Sequence, residues 1–258
     1  MNTSATVTAI YTLALWPVWR WYGERLVDGS DEPWGLLALG CTAIILIRKK
    51  FVRSSSSGQS MLFVSALQLF CYGVLYPLLP PLLRAALGIS VFVPLFWGKI
   101  RGDLAVTGLL FLSLPIISSM EFFLGFPLRY MLTQISCLVL HRICGLDVIA
   151  QGTLIAYGGK VIAVDAPCSG VHMLWCGIFL AMLGCAMAEL KRIEVLRVLR
   201  FALQAVLLAN LCRAVALFFK ESGLLALPAW THTGIGLAFF ALASFAIVWR
   251  LQEAAHAN

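Results

Sequence analysis

The stretch ALQAVLLANLCRAVALFFK, residues 202–220, decides the fold class of this chain. Fifteen of its 19 residues are apolar, and a helix of about 20 apolar residues is long enough to cross the hydrocarbon core of a bilayer. Seven further apolar runs recur along the chain, at 5–20, 34–48, 61–79, 82–98, 104–120, 169–189 and 233–249. The sequence therefore predicts an all-α, polytopic membrane protein of about eight transmembrane helices.

The composition of the chain agrees with an integral membrane protein. Of its 258 residues, 61% are hydrophobic and only 12% are charged, which argues against a water-soluble globule. The net charge of +7 requires no nucleic acid partner, because Lys and Arg gather in the cytoplasmic loops of membrane proteins. The first span, 5–20, lacks a basic N-terminal flank and a small-residue cleavage site, so we expect it to be retained.

A basic cluster after the second span sets the predicted orientation, because basic loops stay in the cytoplasm. Its members are Arg48, Lys49, Lys50 and Arg53. The turn before that span is acidic, with Glu24, Asp28, Asp31 and Glu32. Counting the spans onward also places on the cytoplasmic side the basic residues Lys99, Arg101, Lys191, Arg192, Arg197, Arg200 and Arg250.

Residues 121–143, EFFLGFPLRYMLTQISCLVLHRI, are long and apolar enough to cross but contain Pro127, Arg129 and Gln134. A crossing here would place the basic cluster at 191–200 outside, so we predict a helix in the outer interface. The following run TLIAYGGKVIAV, residues 153–164, predicts a small external β-hairpin that turns at Gly158-Gly159, before the sixth span.

The hairpin leads into VIAVDAPCSGVHMLW, residues 161–175, where Cys168 follows Pro167 at the predicted start of the sixth helix. A helix N-terminus favours the thiolate form, and the first-turn N–H groups near Gly170 can approach an oxyanion. Taken alone, this segment favours a simple packing role for Cys168. We assume that role for the remaining cysteines, which are Cys41, Cys71, Cys137, Cys144, Cys176, Cys185 and Cys212.

Asn210 and Arg213 interrupt the apolar run 202–220 and share one helix face. A charge inside a transmembrane helix costs about 2.5–3.5 kcal/mol on insertion scales, so such residues are candidates for function. In the alternative interpretation, Arg213 snorkels to the outer headgroups and Asn210 satisfies a neighbouring backbone group.

Two histidines compete for the role of an acid or base. His232, in LPAWTHTGIG, lies at the outer mouth of the last helix, in the same predicted layer as Cys168 and Arg213. His172 follows Cys168 by four residues, but it ranks second because a protonated imidazole inside the membrane is costly. Asp165 is predicted to cap the helix start rather than to orient a histidine.

Three motifs in this order resemble those of the exosortase/archaeosortase family of membrane transpeptidases. They are APCSG at 166–170, NLCR at 210–213 and HTGIG at 232–236. The resemblance implies a cysteine enzyme that processes exported proteins at a C-terminal sorting signal. It also implies that Cys168 is the nucleophile, Arg213 its basic partner and His232 the proton-transfer residue. Supporting roles fall to Asn210, Ser169, Gly170, Asp165 and His172.

We expect one integral membrane domain over 1–258. Its parts are a five-span half (1–120), an external segment with the interfacial helix and hairpin (121–167) and a three-span part with the site (168–250). The expected partners are the lipid bilayer and a membrane-anchored substrate with a C-terminal sorting signal, followed by an acceptor that the sequence does not identify. We expect a location in the bacterial cytoplasmic membrane, with the site facing the periplasm.

Two other classes of protein fit part of the pattern. In a transporter or assembly scaffold, Arg213 would bind an anionic substrate and Cys168 would merely pack. An intramembrane hydrolase would cleave without transfer. We expect no cofactor: zinc is disfavoured because only the Cys168/His172 pair has helical ligand spacing, and no phosphate-binding glycine loop is present.

Overall fold

The computed structural model describes residues 3–27, 33–49, 57–100, 102–165, 168–228 and 230–256. The described chain is mainly helical, with one small β-sheet. It divides into two compact units, the first comprising Met1–Ile116 with Cys185–Arg192 and the second comprising Ile117–Gly184 with Ile193–Asn258. Several residues of the predicted charged clusters lie outside the described residues, namely Asp28, Asp31, Glu32, Lys50, Arg53 and Arg101.

The first unit contains eight helices within its described residues. They are α1 (Thr3–Ala14), α2 (Trp16–Val27), α3 (Trp34–Arg48), α4 (Ser57–Leu75), α5 (Pro81–Ser90), α6 (Phe92–Leu95), α7 (Trp97–Ile100) and α8 (Leu104–Leu112). A core of buried residues from α5, α6 and their neighbours includes Leu15, Ala85, Ile89 and Phe92. At the start of α8, Asp103 accepts hydrogen bonds from two N–H groups and from Lys49 Nζ at 2.6 Å.

Three predicted spans of this unit are not single helices. The span 5–20 divides at Leu15 into α1 and α2. The span 82–98 is interrupted after Ser90, because the ring of Pro94 clashes with the carbonyl four residues earlier. In the span 104–120, the first helix ends at Leu112, three residues before Pro115. None of these three runs is confirmed as one continuous helix.

In the second unit, the helical segment from Ile117 to Arg142 continues without a break. It consists of α9 (Ile117–Met120), a π-helical turn (Glu121–Gly125) and α10 (Phe126–Arg142). With α12 (Arg192–Glu221) and α13 (Thr231–His256), it is one of three described segments long and apolar enough to cross a membrane. The count of eight spans is thus not confirmed. The interfacial location of residues 121–143 stays a prediction, although their helix has the length of a span.

Shorter apolar helices complete the candidates for membrane-embedded structure. They are α3, the part of α4 from Ser60 to Leu75, the stretch Pro81–Leu95 that α5 and α6 form together, and α11 (Val171–Met187). Among the residues that the structure describes, Trp175 of α11 has the largest fully buried side chain, and it stacks on Phe179. The chain is therefore a membrane protein whose long apolar helices fall mainly in its C-terminal half.

The sheet between α10 and α11 has three antiparallel strands in the order β1-β2-β3. They are β1 (Ile149–Gln151), β2 (Leu154–Tyr157) and β3 (Lys160–Ala163). Gly158 and Gly159 have φ angles of 55° and 76°, as the predicted two-residue turn requires. The sequence did not predict β1, and the external location of the hairpin stays a prediction.

A small core lies beneath the sheet and positions it against two helices. Ile155 of β2 and Val164 pack with Leu140 of α10 and Phe218 of α12. The ring of Tyr157 also meets the ring of Phe218 edge to face, with centroids 5.5 Å apart. This packing holds β3 and the segment after it close to the C-terminal half of α12.

Candidate active site

Cys168 lies just before α11 rather than within its first turn. Its N–H donates to the carbonyl of Asp165 at 2.8 Å, a three-residue spacing as in a 3₁₀-helix. Gly170 follows with a φ of 83°, which ends this turn and lets α11 begin at Val171. Ala166 and Pro167 lie outside the described residues.

Asn210 fixes the backbone of the nucleophile candidate. Its side chain is only 5% exposed, and Nδ2 donates to the carbonyl of Cys168 at 3.2 Å. A Cβ atom at position 170 would lie 2.6 Å from Nδ2, so only glycine permits this approach. Asn210 thus hydrogen-bonds a neighbouring backbone group, as the alternative interpretation of the sequence predicted. That group is the carbonyl of Cys168.

Ser169 links the same turn to a carboxylate that the sequence did not single out. Its hydroxyl donates to Glu121 Oε2 at 2.9 Å and accepts from the N–H of Val171 at 3.3 Å. Ser169 is 2% exposed, whereas Asp165 is exposed. Ser169 therefore supplies a side-chain contact at the start of α11, and the capping role of Asp165 stays a prediction. Glu121 lies in the π-helical turn, a feature often found at functional sites.

Cys168 borders a cavity of about 450 Å³ in the second unit. The polar residues that line it are Asp165, Cys168, Glu221 and His232. Its apolar walls come from β2, β3 and α12, and consist of Ile155, Val161, Ile162, Ala163, Val164, Ala214, Leu217 and Phe218. The structure thus brings the predicted nucleophile and the predicted proton-transfer residue to one cavity.

His232 has a carboxylate partner in this cavity. Its Nδ1 atom lies 3.3 Å from Oε1 of Glu221, between the first turn of α13 and the end of α12. The sequence did not predict a role for Glu221. Helical periodicity could have found it, because positions 210, 214, 217 and 221 follow one stripe of α12.

Arg213 lies beside the cavity but is not among the residues that line it. It is half-buried, and a Cβ atom at Gly236 of α13 would lie 3.4 Å from its Nε atom. The glycine of the HTGIG motif therefore leaves room for the guanidinium. The positive charge of Arg213 lowers the pKa of the Cys168 thiol.

Burial has a larger effect on this thiol than the charge of Arg213. It raises the pKa of Cys168 above the ordinary value, and the carboxylates of Asp165 and Glu221 raise it further. The expectation that the helix N-terminus would favour a thiolate here is therefore wrong. Cys168 lies three residues before Val171, outside the first turn, where the helix dipole acts most strongly.

His172 is exposed on the first turn of α11 and is not among the cavity-lining residues. The positive φ of Gly170 takes Cys168 off the path of α11, so a four-residue spacing does not bring the two side chains to one face. Of the cysteines expected to pack, Cys137 and Cys185 are buried, whereas Cys144 and Cys212 are exposed. The packing prediction is wrong for these last two.

The arrangement provides the parts of nucleophilic catalysis by a thiol. An imidazole in the same cavity can take the thiol proton, a carboxylate can orient that imidazole, and a guanidinium nearby can stabilise negative charge. Because burial raises the pKa of the Cys168 thiol, the arrangement favours attack in which the thiol proton leaves as the substrate carbonyl arrives.

Comparison with known proteins identifies a family for this chain. A family model described as transmembrane exosortase matches residues 1–249. No match was found among the curated proteins or among the solved structures. The family match extends over the N-terminal half of the chain as well as the three motifs of the C-terminal half. This chain therefore belongs to the transmembrane exosortase family.

Proposed function

We propose that the protein is a membrane-embedded cysteine transpeptidase. It cleaves the C-terminal sorting signal of exported proteins and passes them, through a thioester on Cys168, to a surface acceptor. Membership of the exosortase family supports a transpeptidase-like role on substrates with sorting signals. The observation that carries the proposal is the cavity shared by Cys168 and His232.

The reaction has two halves. The sulfur of Cys168 attacks the carbon of the scissile carbonyl while His232 takes the thiol proton, which gives a tetrahedral oxyanion. Collapse of this oxyanion breaks the C–N bond, and the leaving amine receives the proton from His232. An acceptor nucleophile then attacks the thioester, gives its proton to His232 and releases the cysteine.

Each neighbouring residue supports one part of this sequence. Arg213 stabilises the negative charge on sulfur and on the oxyanion, for which its planar, permanently charged head is suited. Asn210 holds the backbone of Cys168 through the 3.2 Å bond. Glu221 orients the ring of His232 and stabilises the imidazolium that forms. The apolar walls from β2 and β3 limit water near the thioester and so favour transfer over hydrolysis.

The test is the mass of the C-terminus of exported proteins in cells that carry Cys168, compared with cells that carry Cys168→Ala. A new C-terminus with an added acceptor mass in the first cells supports a transpeptidase. A new C-terminus with a free carboxylate indicates a hydrolase without transfer. Identical C-termini in both cells would refute the proposal.

We further propose that the cavity faces the periplasm, in line with the basic residues after α3 and at the start of α12. In a variant that retains only Cys168, a membrane-impermeant maleimide should label the protein in intact spheroplasts. The thiol is half-buried, so labelling is expected to be slow and to increase as the pH rises towards the raised pKa of the thiol. Labelling that requires permeabilised membranes would reverse the orientation.

The two histidines give a matched pair for testing the proton-transfer role. His232→Ala should lower processing about 100-fold or more, whereas His172→Ala should stay near the wild-type rate because it lies outside the cavity lining. Glu221→Gln keeps the size of the side chain but removes its charge, so a smaller loss is expected. Pulse-chase measurement of precursor cleavage gives the rates. An inactive His172→Ala protein beside an active His232→Ala protein would move the role to position 172.

A further inference from the structure

The strand β3 forms one edge of the sheet, and its outward backbone groups can be assigned from the register. The N–H of Val164 donates to the carbonyl of Thr153 at 2.9 Å, so this pair is hydrogen-bonded. Hydrogen-bonded and non-bonded pairs alternate along an antiparallel ladder. The pair Ile155–Ile162, two positions along, is therefore also hydrogen-bonded, whereas Ala163 and Val161 belong to the non-bonded pairs. The N–H and C=O groups of Val161 and Ala163 therefore point away from β2.

This edge runs along the cavity that contains the nucleophile candidate. Residues 161–165 line the cavity without a gap, followed by Cys168. Side chains of a strand alternate between its two faces, so five consecutive lining residues indicate that the cavity borders the strand edge. Val161 is 61% exposed on this edge.

The edge is also fixed relative to the proton-transfer candidate. Lys160, the first residue of β3, donates from Nζ to the carbonyl of Ser222 at 3.0 Å. Ser222 directly follows Glu221, the carboxylate partner of His232. The hairpin is thus tied at one end to the carboxylate–imidazole pair and continues at the other end into Cys168.

We infer that the substrate segment next to the scissile bond binds as a fourth strand along β3. This inference rests on the proposed function. A thiol can reach a peptide carbonyl only when the backbone is extended and not covered by its own helical hydrogen bonds. Val161 and Ala163 together offer two N–H and two C=O groups, and such backbone pairing binds an extended peptide largely independently of its side chains.

A proline at Ala163 tests this pairing. It removes an outward N–H and leaves the β2–β3 ladder intact, since proline is tolerated at strand edges. The matched control is Ala150→Pro on the opposite edge. Ala150 of β1 pairs with Ile155 of β2, and the N–H and C=O groups of Ile155 point towards β3. The pair Ala150–Ile155 is therefore non-bonded, and the N–H of Ala150 points out of the sheet. Ala150 does not line the cavity.

The probe is the precursor that accumulates in cells with Cys168→Ala. Ala163→Pro should slow its cleavage about tenfold or more, because the substrate carbonyl loses a partner, and Ala150→Pro should cleave it near the wild-type rate. Iodoacetamide labelling of Cys168 at the wild-type rate shows that the site is intact. Normal cleavage by Ala163→Pro, or an equal loss in Ala150→Pro, would overturn the inference while the proposed function stands. If Cys168→Ala cells accumulate no precursor, the proposed function fails and the inference with it.

A second measurement uses the unaltered enzyme. Prolines placed one at a time in the four substrate residues before the cut should slow cleavage at alternate positions, because only alternate N–H groups of an added strand face β3. An equal effect at all four positions, or at none, would overturn the inference.

Discussion

Cells that carry Cys168→Ala are expected to accumulate uncleaved precursors, with processing reduced on the order of 10⁴-fold or more. Without the sulfur no thioester forms, and no other step in the proposed reaction supplies a nucleophile. Cys168→Ser should be almost as poor, because a half-buried hydroxyl is a much weaker nucleophile than a thiol. Pulse-chase labelling of a membrane-anchored precursor measures the rate.

The loss in Cys168→Ala should not arise from unfolding. Asn210 bonds the backbone carbonyl at position 168, not the side chain, so the anchoring of this turn is unchanged by the substitution. The protein should therefore reach the membrane at normal levels. Cys144→Ala, at an exposed cysteine in the same unit, is the matched control and should process normally. Full processing by Cys168→Ala or Cys168→Ser would refute the assignment of the nucleophile.

Arg213→Ala is expected to lower processing about 100-fold or more, the size of effect seen when one oxyanion donor is removed. The substitution also removes the cation that lowers the pKa of Cys168. The thiol pKa should then rise further, so alkylation of Cys168 by iodoacetamide should require a higher pH than in the wild type. Arg213→Lys keeps the charge but loses the planar fork, and should also process poorly.

The control for Arg213 is Arg200→Ala, an exposed arginine on the same helix. It should leave both the processing rate and the alkylation profile unchanged. Wild-type processing by Arg213→Ala would remove Arg213 from the mechanism. An unchanged alkylation profile in an inactive Arg213→Ala protein would contradict its effect on the thiol.

The fold was predictable wherever hydrophobicity alone determines a helix. The run 202–220 predicted the membrane part of α12, and the observed helix begins earlier, at Arg192, because its charged N-terminal residues are good helix formers. Hydrophobicity does not show where an apolar run breaks. Local effects such as the ring of Pro94 interrupt the run 82–98, although its composition is that of a span.

The site was predictable where an unusual residue stands in an apolar run. Cys168, Asn210 and His232 could be recognised in this way. Glu221 is harder to recognise, because a glutamate at the end of a helix is ordinary and its partner His232 follows 11 residues later. Only its place on the same helical stripe as Asn210 points to it. Glu121 lies 48 residues from its partner Ser169, so the contact depends on tertiary structure alone.

The predicted direction of the pKa change at Cys168 was wrong for a related reason. The sequence places the thiol next to Pro167 and thus at an apparent helix start. The positive φ of Gly170 moves the start of α11 to Val171, and packing beneath the sheet buries the sulfur. The burial of the sulfur and the residue at which α11 begins both depend on the tertiary fold. The spacing of residues in the sequence predicts neither.

The central claim is that processing passes through a thioester on Cys168. It is tested most directly by mixing the wild-type enzyme with the membrane-anchored precursor, stopping the reaction with acid and mapping the adduct by mass spectrometry. The account predicts the upstream part of the precursor on the peptide that contains Cys168, released by hydroxylamine and missing in Cys168→Ala. Cleavage without an adduct at Cys168, or an adduct that resists hydroxylamine, would contradict it.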